Sequence, residues 1–222
     1  MKLNDTINTW PGRVLYRWCV AAFAVLLSSA SASESVGSGN WSDVNWSNGE
    51  PTAWMDAFIR QDAQEVTIRE PGEVAHRLVV GQHASHSILN ITSGSLDLGS
   101  AGSEVLKGHL YVAWSGVGEV TGIVNLSGGS LRAHWFNTMT NSAGDVAQLN
   151  ISGTGHLRLG GLSVGGGHTH ADEQVSIRGS AASVSILTRA IFEAHSTLRF
   201  TLDGSGVSAI HTDGLTVDPT AK

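Results

Sequence analysis

Cysteine occurs once in this chain of 222 residues, at Cys19. No intramolecular disulfide can form, so export into an oxidising compartment is tolerated but not used for stability. Lysine is almost as scarce, at Lys2, Lys107 and Lys222 only. Charged residues make up 14% of the chain, well below the usual fraction of about a quarter. These shortages exclude a coiled coil or helical bundle, which needs abundant Glu, Lys, Leu and Ala. They also exclude a charge-rich disordered tail. A formal net charge of −6 leaves no basic surface for nucleic acid. Glycine is plentiful at 27 residues, and hydrophobic residues reach 41%. That suffices for the core of one compact domain or one elongated repeat array.

Residues 1–32 read as a secretory signal peptide. Lys2, Arg13 and Arg17 form a basic start, and CVAAFAVLL (19–27) is an apolar run too short to span a bilayer as a helix. Ala30-Ser31-Ala32 offers small residues for cleavage after Ala32. The alternative is a membrane-anchoring helix. Cleavage removes Lys2, Arg13, Arg17 and Asp5, which takes the net charge from −6 to −8. It also removes Cys19, which sits inside the apolar run, where lipid attachment is disfavoured. No later segment is apolar enough for a membrane span.

The remainder repeats. ILNITSGSLDL (88–98), IVNLSGGSLRA (123–133), QLNISGTGHLRL (148–159) and QVSIRGSAASVSI (174–186) align on Asn90, Asn125, Asn150 and Ser176, at steps of 35, 25 and 26 residues. LVVG (78–81), LYVA (110–113) and LSVG (162–165) form a second shared piece, and HWFNTM (134–139) stands in its place in the remaining turn. Within each unit the apolar period is two, as in Leu89-Asn90-Ile91, and glycine interrupts the runs. That pattern marks short strands with one buried face. A unit of this size buries its face only by stacking on the next.

The fold class expected is all-β: a right-handed parallel β-helix, or β-solenoid, of roughly six coils, each adding about 4.8 Å. An early coil runs through Val66 and Ile68, turns at Pro71-Gly72 and returns through Val74. A last one runs from Leu187 through Ile191 and Phe192, then Leu198, Phe200 and Leu202. Glycine supplies the corners. Asn90, Asn125 and Asn150 point outward and hydrogen-bond along the stack as a ladder; the alternative is N-glycosylation at these sequons, which Asn40 and Asn45 share. The organisation predicted is a signal peptide over 1–32, an aromatic N-terminal cap over 33–56, solenoid repeats over 57–218 and a tail over 219–222.

GNWSDVNWSNGEPTAW (39–54) holds Trp41, Trp46 and Trp54. The rings read as a cap over the first open coil. As the alternative, they form a sugar-stacking platform. GNWSDVNWSNGEPTA, the LVVG…LNITSGSLDL units and STLRFTLDGSGVSAI together resemble bacterial autotransporter-associated and PEP-CTERM-associated β-strand repeat proteins. The resemblance covers roughly residues 39–217, and its specific part is the order of the motifs. It implies a passenger-like extracellular β-helix and brings no catalytic residues. Proteins of that group continue beyond the closing segment into a membrane barrel or a sorting tail, whereas this sequence stops at GLTVDPTAK. The expectation is a short released member or a truncated frame, with an uncapped last coil that favours self-association.

GGGHTHADE (165–173) is the sharpest chemical cluster. His168 and His170 share one side of an extended segment and Asp172 joins them, a set that suits zinc or a similar ion; the alternative is a polar corner loop. Arg132 and Arg158 face outward on adjacent coils, as a site for an acidic glycan or as a solvated face. The acids Asp97, Glu104, Glu119 and Asp145 are scattered, without the close carboxylate pair of a polysaccharide-cleaving enzyme. No cofactor is implied. The function expected is an exported, non-catalytic solenoid with a structural or adhesive role at the bacterial surface or outside the cell. The alternative is a polysaccharide-binding or polysaccharide-degrading β-helix. The partners expected are extracellular polysaccharide or other envelope proteins, with no nucleic acid and no membrane span in the mature chain.

Overall fold

A computed structural model describes residues 32–99, 106–114, 118–165, 170–201 and 209–222, all within the compact unit Ser31–Lys222. The signal-peptide reading falls on residues outside this set, except for Ala32, which opens the first strand. Among the described residues there is no helix.

The chain winds as a β-solenoid of about six turns. The first turn holds β1 (Ala32–Val36), β2 (Gly39–Asn40) and β3 (Asn45–Trp46), the last antiparallel to β1. The second holds β4 (Asp56–Ile59), β5 (Gln64–Ile68) and β6 (Glu73–Ala75), and the third β7 (Arg77–Gln82), β8 (His86–Ile91) and β9 (Ser95–Leu98). The fourth begins with β10 (His109–Trp114) and β11 (Thr121–Leu126). Thereafter β12 (Ser130–Thr138), β14 (His156–Val164), β16 (Ser183–Phe192) and β18 (Ile210–Val217) each close one turn and open the next. Between them lie β13 (Val146–Ile151), β15 (Asp172–Arg178) and β17 (Thr197–Thr201).

Three faces result. The ladder face is the seven-stranded sheet β2-β5-β8-β11-β13-β15-β17. The leucine face joins β6, β9 and the first halves of the four long strands. The aromatic face joins β1, β4, β7, β10 and the second halves of those strands. Residues 33–56 therefore belong to the stack itself, since β1 starts the aromatic face and β2 the ladder face.

Period-two alternation explains the core. On the ladder face Val66, Leu89, Val124, Leu149 and Val175 stack inward in register, as do Ile68, Ile91, Leu126, Ile151 and Ile177. The leucine face adds Leu96, Leu131, Leu157 and Val184. The aromatic face adds Ala57, Leu78, Leu110, Phe136, Leu162 and Ala190. Phe136 places HWFNTM squarely in the LVVG series. Each buried Leu or Ile contributes about 1.5–3 kcal/mol relative to exposure, so the columns dominate stability.

The asparagine ladder forms. Asn125 Nδ2 donates to Asn90 Oδ1 at 2.9 Å and Asn150 Nδ2 to Asn125 Oδ1 at 3.0 Å. Asn90 Nδ2 continues the chain to Glu65 Oε1 at 2.6 Å. The turn beyond the ladder needs glycine at Gly129: its φ is +67°, and a Cβ would lie 1.9 Å from the Gly94 carbonyl.

Two sequence expectations shift. The return strand β6 exists, but Val74 is half-buried and faces out while Glu73 and Ala75 face in. Glu73 stands in register with Leu96, so a carboxyl begins the leucine column. In the last coil Leu187 and Phe200 are exposed. Leu187 falls at the irregularity between Ile186 and Arg189, where an extra residue breaks the alternation. Leu202 lies outside the described residues. On the final strand Leu215 and Val217 are exposed, and the Lys222 N–H donates to the Ser196 carbonyl at 2.9 Å.

Candidate functional site

The outward side of the aromatic face differs from the other two in its side-chain sizes. One outward column reads His109, Trp135, Gly161, Arg189 and Gly214 across successive turns. The next reads Tyr111, Asn137, Ser163, Ile191 and Thr216. The second half of β14 thus offers only Gly161 and Ser163 outward, with Gly165 following. Larger side chains on β12 and β16 rise on either side. The result is an open trough of about 550 Å³ that runs along β14. That volume lies within the range of small-molecule sites.

The near wall is aromatic. The Trp135 indole is held over β14, because Gly161 leaves it room: a Cβ there would lie 2.5 Å from the ring. His134 stacks beside Trp135 at 6.3 Å and on His109 at 5.7 Å, with interplanar angles of 17° and 7°. His109 stacks in turn on Tyr111 at 5.8 Å, and Tyr111 tilts against Trp114 at 5.1 Å. The His134 Nδ1–H donates to the Leu106 carbonyl at 2.9 Å, which fixes the ring. Burial lowers the His109 pKa below its ordinary value, and the neighbouring His134, Arg77 and His76 lower it further. His109 is therefore neutral at pH 7, a flat face rather than a cation.

The far wall is polar. Arg189 reaches back to 5.9 Å from the Trp135 centroid. Ile191 and Glu193 follow it, and Ser163 Oγ donates to Glu193 Oε1 at 3.4 Å. Behind this wall Glu173 is 4% exposed. Its carboxyl accepts from the Thr140 hydroxyl. Burial raises its pKa above the usual carboxylate value, Glu193 adds to the rise, and the threonine hydrogen bonds oppose it.

The residues singled out from sequence lie elsewhere. Trp41 is fully buried and Trp46 is 6% exposed, so neither can stack on a sugar. Their rings pack at 4.7 Å, and Trp46 Nε1 donates to the Trp41 carbonyl at 2.9 Å. As contact residues they are corrected to core residues of the first turn: the chain doubles back antiparallel there and folds both rings inward. Trp54 is 78% exposed and alone of the three is open to a ligand. His168 lies outside the described residues. His170 and Asp172 are exposed, and Asp172 Oδ2 accepts from Gln148 Nε2 at 2.8 Å. Among the described residues no group of three His, Cys, Asp or Glu side chains is placed to hold a metal.

Arg132 and Arg158 stand in register as expected, and Arg132 Nη1 lies 3.4 Å from Asp97 Oδ2. Asp145 is structural: its carboxylate accepts the N–H groups of Val120, Asn141 and Ser142 at 2.9, 2.7 and 2.8 Å.

Sequence reasoning missed the trough although its signal was present. Alternation around Leu110, Phe136 and Leu162 puts Tyr111, Trp135, Gly161 and Ser163 outward, and the coil register then makes them neighbours. Comparison with protein-family models, with curated proteins and with solved structures finds no match for this chain.

Proposed function

We propose that this chain is an exported, non-catalytic β-solenoid with a structural or adhesive role at the bacterial surface or outside the cell, and that it holds polysaccharide in the β14 trough. The observation that carries this reading is the trough itself. Flat rings of Trp135 and Tyr111 form one wall, and Asn137, Ser163, Arg189 and Glu193 supply donors and acceptors across it. Aromatic faces complement the C–H faces of a pyranose ring, while a few fixed polar groups set its orientation. The stacked columns hold both walls on rigid strands, so little ordering is needed on binding.

Binding without cleavage is favoured by the placement of the acids. A glycosidase sets two carboxyl groups on opposite sides of the scissile bond, both in reach of it. Glu193 reaches the trough, but Glu173 faces the core and is tied to Thr140. The basic start and apolar run at the N-terminus and the resemblance to exported strand-repeat proteins support the extracellular setting.

Screening the purified protein against arrayed oligosaccharides tests the reading. Retention of at least one saccharide is expected, with a loss of at least about tenfold for Trp135→Ala and no loss for Trp54→Ala. Equal retention by Trp135→Ala, or release of new reducing ends from a bound polymer, overturns it.

A further inference from the structure

Arg189 adds a charge to a wall that otherwise needs none. Its side chain is exposed, and among the described residues it makes no ion pair. Arg77, on the same outward column, differs, since Asp56 pairs with it and also holds His76 Nδ1 at 3.0 Å. Glu193, the carboxylate of the trough, follows β16 four positions after Arg189 and accepts from Ser163 Oγ at 3.4 Å. Among the described residues no ion pair joins Glu193 to Arg189.

We propose that the trough selects acidic polysaccharide: a uronate carboxylate is held by the Arg189 guanidinium while its ring lies against Trp135, and a neutral unit follows towards Glu193. This rests on the saccharide reading above. A planar guanidinium takes a carboxylate through two parallel N–H···O bonds, which are stronger than hydrogen bonds between neutral groups. At the opposite end a second carboxylate would meet Glu193 directly, whereas hydroxyl groups would donate to it. The ligand that fits is therefore one in which acidic and neutral units alternate. The net charge, −6 for the whole chain and −8 once residues 1–32 are removed, opposes a polyanion only at long range, where salt screens it. Contact with Arg189 is screened far less.

The test uses uronate-containing oligosaccharides, both homopolymeric and alternating with neutral units, each paired with its methyl ester of the same length. Affinities are measured at 0.15 M salt for the wild type, Arg189→Gln and Arg189→Lys. The acid form of at least one alternating oligosaccharide is expected to bind at least about tenfold tighter than its ester. Arg189→Gln should abolish that preference, and Arg189→Lys should keep part of it. Esters that bind as well as acids, with Arg189→Gln unchanged, overturn the acidic selectivity and leave the saccharide reading standing. No binding of any acid or ester by the wild type overturns the acidic selectivity, and the saccharide reading then stands or falls with the oligosaccharide array.

Discussion

The ladder face and the aromatic face are wound from the same turns and share one core, yet they use their outward positions in opposite ways. On the ladder face Asn90, Asn125 and Asn150 repeat the same amide on successive strands, and each bonds to the last. On the aromatic face the outward residue changes at every turn, from His109 to Trp135 to Gly161 to Arg189. Uniform columns satisfy one another and present an even surface. Uneven columns leave a strand of small residues between strands of large ones, which is what makes a trough. In this solenoid the repeat supplies rigidity, and the departure from it supplies the candidate site.

The contrast yields predictions of decreasing size. Leu126→Ala, in the ladder face's inward column between Ile91 and Ile151, should cost about 2–5 kcal/mol. Urea unfolding reads this as a lowered midpoint. Trp135→Ala, half-buried on the outside, should cost less than about 1 kcal/mol in the same assay. Comparable losses would erase the division between core and trough.

Glu73→Leu tests the carboxyl that begins the leucine column. Burial, a hydrogen bond with Glu50 and the charges of Glu50 and Glu70 push the Glu73 pKa up to about 7. The folded chain keeps this proton to about pH 7, while the unfolded chain releases it near its ordinary value of 4.5. Stability therefore falls as pH rises from 4.5 to 7, and the full penalty is present above 7. Replacing Glu73 by Leu should stabilise the protein by about 2–3 kcal/mol at pH 8 and by clearly less at pH 5. Thermal unfolding at the two pH values checks this; an equal gain at both would show that packing, not charge, sets the effect.

Asn125→Ala removes the middle rung of the ladder and leaves Asn90 Oδ1 and Asn150 Nδ2 without their partner. The expected cost is about 1–2 kcal/mol, with saccharide binding unchanged. A binding loss here would mean that the two faces are coupled.

Much of this was legible in the sequence. Period-two alternation broken by glycine specified strands, and the spacing of Asn90, Asn125 and Asn150 specified parallel stacking, because identical residues profit from register. Glu73 escaped notice because β6 has only three residues, too few for alternation to reveal its phase beside Pro71-Gly72. Trp41 and Trp46 read from sequence as a cap, and their burial excludes only the alternative of a sugar platform. The trough is a property of neighbours across turns. Trp135, Gly161 and Arg189 are 26 and 28 residues apart in the chain, and Arg189 falls after an irregularity that no repeat alignment places.

Indole N–H resonances test the central claim most directly. The spectrum of the ¹⁵N-labelled protein, with Trp135 and Trp54 assigned through Trp135→Phe and Trp54→Phe, is followed as the acidic oligosaccharides and their esters are added. The account predicts a saturable shift of the Trp135 indole signal, with those of Trp41, Trp46 and Trp54 unmoved. A shift of Trp54 with Trp135 still, or no indole shift with any of these saccharides, would contradict it.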